Sequence, residues 1–232
     1  QNKEVEEINV KFIFRSLLVG AIDCDRVEYV MADKLAIHGK CNDYRNIFNY
    51  IIIVLLKDNP MVGFETDAIP AIEDFLIERF DLYRYDYFSL ENVISDMALN
   101  YYGRLEEEKG RKINHQTEQQ IIADLQNILQ SEQRGKSKEK RLAEIIVNGK
   151  RNNLMAKRFE SKEKFDAFVD KLKSLLPAEL IHTTKRSVSV YDPEKHKIYV
   201  RDDDGVIRDI EEVSVKLRKM SVTYFYVMVD LE

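Results

Sequence analysis

The densest group of chemically capable side chains lies in IDCDRVEYVMAD, Ile22 to Asp33. On a helix, Asp25, Tyr29 and Asp33 recur at steps of four, which sets a carboxylate, a phenol and a second carboxylate on one face. Arg26 and Glu28 flank that row. A hard divalent cation or a phosphorylated substrate could use such a face. Carboxylate oxygens bind metal, a phenol meets a sugar hydroxyl, and a guanidinium meets phosphate. The same spacing also describes an ordinary solvated face laced with i,i+4 pairs, the default for charged residues on a helix.

Those residues need a scaffold, and the surrounding pattern predicts a helical one. From Val10 to Asn100 the apolar residues keep helical spacing in FIFRSLLVGAI, VEYVMADKLAI, YRNIFNYIIIVLL and the long stretch from Ala68 to Tyr102. The strongest apolar run, Ile51 to Leu56, is too short for a membrane span and reads as buried helix. KDNPMVGFETD, with its Pro and Gly, reads as a loop. Around Arg104 the chain turns to the charged RLEEEKGRKINHQTEQQ, a solvated connection. Thr117 then offers an N-cap for IIADLQNILQ, a basic leader precedes another short helix, and Ser161 caps a helix over Lys162 to Leu176 that Pro177 terminates. Beyond it the period falls towards two. RSVSVYD, KIYVRDDDGVIRDI and VTYFYVMVD predict strands, Asp204 and Gly205 a hairpin turn, and EEVSVKLRKM a short interrupting helix. No internal repeat is visible. Composition divides the chain into 1–103, 104–176 and 177–232.

The bulk properties narrow the function classes. A chain of 232 residues and 27.3 kDa can bury a real core. Its net charge of -5 opposes general polyanion binding. Two cysteines, Cys24 and Cys41, make neither a disulfide framework nor a zinc site, so a reducing, cytoplasmic setting is expected. The opening QNKEVEEINVKFIF is unlike a signal peptide.

The segment around Asp25 resembles the last metal-ligand motif of HD-domain phosphohydrolases, roughly D-x-D-[RK]-x-D-Y followed by an Arg-Asp pair. AIPAIEDFLIERFDLYRYDYFSLENV resembles that family's helix in which an Arg and a Tyr-rich stretch border the nucleotide pocket. SVSVYDPEKHKIYVRDDDGVIRDIEEVSVKLRKMSVTYFYVMVD is similar to the small C-terminal subdomain of the branch that includes the dNTP triphosphohydrolases. The order of the three segments carries the resemblance more than any one of them.

The resemblance implies that Asp25 ligates a divalent metal, with Asp23 structural. Arg26 takes the basic position that reaches a substrate phosphate, and Tyr29 and Asp33 face the sugar. Arg79 matches the arginine of the later helix and Tyr87 its sugar-side tyrosine. The sequence departs from the pattern at Glu28 for Asp, at Ala32 for Arg, and at Phe88, Ser89 and Leu90, where the family commonly continues with His and Lys. The family also builds its site from an upstream His and a His-Asp dyad, because imidazole and carboxylate together hold the metal and activate its water. Of His38, His115, His182 and His196, none precedes Asp25 and none is followed by Asp. The metal site is thus incomplete in this chain, no residue is assigned a catalytic role, and Mg, Mn, Fe, Ni and Zn are not distinguished. The missing ligands are expected upstream of Gln1, on another chain, or lost.

The implied fold is mainly α, an HD-domain-like helical core (1–103) with a charged helical connection (104–176) and a small C-terminal α+β appendage (177–232). The implied function is a metal-dependent phosphohydrolase acting on nucleotides, dNTP triphosphohydrolase-like, if completed by an N-terminal portion. The alternative is a catalytically inactive nucleotide-binding or assembly module. Expected partners are a nucleotide substrate, an effector nucleotide and further copies of the chain, with no membrane. Nucleic acid is a weaker expectation, through the basic residues of 134–158. His38 reads as a loop histidine. His182, beside Lys185 and Arg186, could meet a phosphate, although an ordinary surface position is the default. DDDGVIRDIEE lacks the alternating ligands of a calcium loop and reads as a hairpin turn.

Overall fold

In the computed structural model of the chain, which describes residues 17, 18, 20–56, 59–111, 116–131, 138–150, 154–194, 196–217 and 220–230, helix predominates and strands are few. The elements are α1 (Cys24–His38), β1 (Ile51–Leu56), β2 (Asn59–Glu65), α2 (Ile69–Asp81), α3 (Leu90–Glu108), α4 (Glu118–Gln130), α5 (Lys138–Asn148), β3 (Leu154–Phe159), α6 (Lys162–Lys173), β4 (Ile181–Ser189), β5 (Tyr199–Arg201), β6 (Ile207–Asp209), α7 (Ile210–Val213) and β7 (Ser221–Asp230). The mainly α architecture with a small α+β portion is as the sequence implies. The strands, however, form two sheets, ordered β1-β2-β5-β6 and β3-β7-β4.

Packing divides the chain into two compact units. One holds the described residues up to Arg84 together with Val188–Val222; the other holds Tyr85–Ser187 with the described residues from Thr223. Composition changes at 103/104 and 176/177, whereas the chain passes between the units after Arg84, Ser187 and Val222.

In the first unit, β1 and β2 correct two expectations. The run IIIVLL is a strand, not a buried helix, and NPMVGFE is its antiparallel partner rather than loop, with Ile51 opposite Phe64 and Leu56 opposite Asn59. Ile and Val lose little by taking the pleated conformation, and six apolar residues are too few for periodicity to separate helix from strand. Val54 of the run is fully buried, while Ile53 and Leu55 on either side are exposed, the alternation of a strand with one covered face. Gly63 permits the close approach that this sheet needs. A Cβ there would meet Val54 Cγ1 at 3.0 Å and the Tyr199 carbonyl oxygen at 3.1 Å. β2 then pairs in parallel with β5, and β5 antiparallel with β6 through the expected Asp204-Gly205 turn. Gly205 has φ 77°, and the Asp202 carboxylate accepts the backbone N–H groups of Asp204 and Val206, so that carboxylate serves its own turn.

The core of this unit is built from one face of α2, Ile72, Phe75, Leu76 and Phe80, with Val27 and Val30 of α1, Ile47, Val200, Ile210 and Leu217. Full burial of each large side chain is worth about 1.5–3 kcal/mol. Two polar ties fix the helices within it. Glu73, buried on α2, accepts from Ser214 Oγ at 2.6 Å and pairs with Lys216 Nζ at 2.9 Å. Glu78 pairs with Lys34 Nζ at 2.8 Å and accepts from Tyr44 Oη at 2.5 Å, and the Tyr44 ring packs edge-on against Phe75.

In the second unit α3 starts at the Ser89 cap, whose Oγ accepts from Asn92 N, and runs through Arg104 to Glu108. Thr117 and Gln120 form the capping box of α4, and Ser161 caps α6. β3, which periodicity did not reveal, pairs antiparallel with β7 from Leu154 opposite Asp230 to Phe159 opposite Phe225. Phe159, Val169, Leu172, Val227 and Val229 pack together, with Phe165, Phe168 and Phe225 around them. Tyr226 Oη donates to the Phe88 carbonyl oxygen at 2.6 Å. Of the basic segment, 134–137 and 151–153 lie outside the described residues, as does His115; Lys138 to Arg141 begin α5.

Candidate functional site

Asp23 determines where the row of candidate residues begins. Its carboxylate caps α1 by accepting from Arg26 N at 2.7 Å, which sets Asp25, Tyr29 and Asp33 on successive turns. Asp25 is exposed in the first turn, whereas Tyr29 and Asp33 are half-buried. The helix stops at Gly39, whose N–H bonds to Leu35 O, so His38 ends a helix instead of lying in a loop.

Tyr29 and Arg79, fifty residues apart, meet. Arg79 Nε on α2 donates to Tyr29 Oη at 3.2 Å, and the Arg79 guanidinium lies 5.1 Å from the centre of the Tyr83 ring. Tyr29 also shares a hydrogen bond with Tyr83. Burial and that second phenol hold the Tyr29 pKa above its ordinary value against the lowering pull of Arg79. Tyr29 therefore remains a neutral phenol at pH 7, able both to accept from the guanidinium and to donate.

Tyr83 was not among the sequence candidates. The signal for it is its position four residues after Arg79, and α2 runs on into a π-helical turn over Leu82–Tyr87 that carries it. Asp33 lies one turn beyond Tyr29 on α1, and Asp25 one turn before it. Arg26 turns back on Asp23, with Nε 3.3 Å from Oδ2, so its guanidinium is oriented by the residue that caps the helix. Tyr87 ends the π-helical turn and belongs to the second unit.

The pairing of Lys34 with Glu78 holds α1 and α2 in this register. Burial works to raise the Glu78 pKa, but the hydrogen bonds from Lys34 and Tyr44, with the charges of Lys34 and His38, outweigh it and leave the carboxyl below its ordinary value. The same burial, with Glu78 beside it, pushes the Tyr44 phenol well up. Both ties lie within one or two turns of Tyr29 and Arg79, so helix register and cluster geometry are set together.

Metal binding needs more than Asp25. Among the described residues, no group of three or more His, Cys, Asp or Glu side chains is arranged to hold an ion. The residues described here do not by themselves fit a metal centre. Cys24 and Cys41 are free thiols. No described helix is long and apolar enough to cross a membrane.

No family model matches the chain, and neither does any curated protein. Solved structures do. The chain is similar to a hypothetical protein from Aquifex aeolicus, at 18% identity and a TM-score of 0.71, over 93% of this chain and 56% of that one. It is also similar to a phosphohydrolase from Bacteroides thetaiotaomicron, at 17% identity and a TM-score of 0.64, over 94% of this chain and 63% of that one. The likeness is one of fold, and the chain spans about three-fifths of the length of the solved proteins it matches.

Proposed function

We propose that this chain supplies part of the nucleotide site of a metal-dependent phosphohydrolase acting on deoxynucleoside triphosphates. The reading is carried by the meeting of Tyr29 and Arg79, two residues that the resemblance assigns to one substrate and that different helices bring within hydrogen-bond distance. A fold shared with a protein named as a phosphohydrolase supports it.

In this reading Tyr29 orients Arg79 by accepting from Nε, and the Tyr83 ring backs the guanidinium plane. The Nη groups then form the fork that matches phosphate oxygens. The Tyr29 hydroxyl, kept protonated, is placed to meet a sugar hydroxyl, with Asp33 one turn further along. Arg26 adds positive charge for phosphate near the start of α1. Asp25 contributes one ligand of a metal site whose remaining ligands are not among the described residues.

The test is steady-state turnover of dNTPs by the full-length protein with Mn²⁺ or Mg²⁺. Arg79→Ala removes a charge-assisted contact of about 1.5–3 kcal/mol and is expected to lower kcat/KM by about ten- to a hundredfold. Arg79→Lys does not restore the rate, because an ammonium has no planar fork. Wild-type kcat/KM in an Arg79→Ala variant with an unchanged melting temperature overturns the assignment.

A further inference from the structure

The second unit contains a cleft of about 590 Å³ between α3 and β4 that none of the roles above uses. Helical spacing sets Asn100, Arg104 and Glu107 along its α3 wall. On β4 the half-buried His182, Thr184 and Arg186 line the other wall, and the exposed Thr183 between them contributes to it as well.

The chemistry of the lining is that of an anion site with an organic neighbour. Two guanidinium groups and an imidazole line the cleft beside the Glu107 carboxylate, and the Asp96 carboxylate outside the lining pairs with Arg186. Arg186 is held by Asp96 at 3.1 Å, an anchor that uses part of a five-donor fork. Arg104 lies 5.9 Å from the centre of the Tyr101 ring, which in turn packs on the His182 ring at 4.3 Å between centres and a tilt of 41°, so guanidinium, phenol and imidazole lie in series. Met97 and Leu99 add apolar surface, and the volume falls within the range of small-molecule sites.

We propose that this cleft binds a phosphate ester of nucleotide size. Arg104 and Arg186 take the phosphate oxygens, Thr184 donates a hydroxyl hydrogen bond, and Asn100 and Glu107 serve the hydroxyl or amine groups of the organic part. The inference does not depend on the function proposed above, since every residue it uses belongs to the second unit and none is an assigned substrate or metal residue.

Titration calorimetry on the 232-residue protein, with EDTA present, tests it using three probes: inorganic tripolyphosphate, ATP and adenosine. Tripolyphosphate and ATP are expected to bind, more weakly as salt is raised, and adenosine alone not to compete. ATP binding more tightly than tripolyphosphate means that the cleft reads the organic part, and equal binding means that it reads phosphate; both support the proposal. Arg104→Ala, at an exposed position where the fold should tolerate it, is expected to weaken both probes by about tenfold or more, with Arg104→Lys weakened less. Arg186→Ala, checked for an unchanged melt, provides the second variant. The proposal is overturned by any of three results: no phosphate-dependent binding, adenosine binding as tightly as ATP, or affinity unchanged in both arginine variants. Weakening by Arg79→Ala but not by Arg104→Ala likewise overturns it, and moves the binding to the first unit.

Discussion

Arg79 shows what a single residue gains from its neighbours. A guanidinium on an exposed helix turn samples many rotamers, but here Tyr29 fixes Nε and Tyr83 covers one face. Tyr29→Phe deletes an acceptor while keeping the ring, so it is expected to raise KM for nucleotide by about tenfold with a smaller change in kcat, as steady-state kinetics of the full-length protein would read. Glu78 has a different signature. Its pKa is lower in the folded chain than when unfolded, so it contributes stability above the unfolded value, about 4.3, and loses it as pH falls through the folded value. Glu78→Gln is thus expected to lower stability by about 1 kcal/mol at pH 7 and to flatten the loss below about pH 4.5. Denaturant midpoints measured from pH 7 to pH 3 check this, and parallel wild-type and variant curves would rule it out. The Tyr29–Arg79 pair was legible as two candidates but not as a contact, because only the packing of α1 on α2 brings them together; Tyr83 had no motif to mark it.

At the level of elements, sequence rules held wherever one local interaction decides the structure. The Thr117 cap, the Ser161 cap and the Asp204-Gly205 turn each follow from a side chain or a φ angle within a few residues, and all are present. They failed where a distant partner decides. IIIVLL is a strand because NPMVGFE lies beside it, and LMAKRF because β7 does; neither partner could be inferred from the period of a six-residue run. The short C-terminal helix α7 is likewise held from afar, since the buried Ser214 that follows it donates to Glu73 on α2. Ser214→Ala removes that donor from a buried carboxylate and is expected to cost about 1–3 kcal/mol, read as a lower denaturant midpoint at unchanged slope. A midpoint equal to wild type would mean that Lys216 alone satisfies Glu73.

For the molecule as a whole, the C-terminal strands are shared between the two units. β5 and β6 extend the sheet that β2 begins, while β7 lies between β3 and β4. A chain ending at residue 176, where composition suggests a boundary, would lose pairing partners of both sheets. Such a truncation is expected to abolish the cooperative thermal transition followed by circular dichroism, whereas a merely appended subdomain would leave most of that transition in place. The proposed function also belongs to the whole molecule, since it takes Asp25 as one ligand of a metal and Tyr29 and Arg79 as one wall of a nucleotide site. Its most direct test is product release from dNTPs by the full-length protein with Mn²⁺ or Mg²⁺, wild type beside Asp25→Ala. The account predicts turnover in the wild type and a loss of at least about a hundredfold in the variant. Undiminished turnover in Asp25→Ala, or nucleotide binding without any turnover in the wild type, would contradict it.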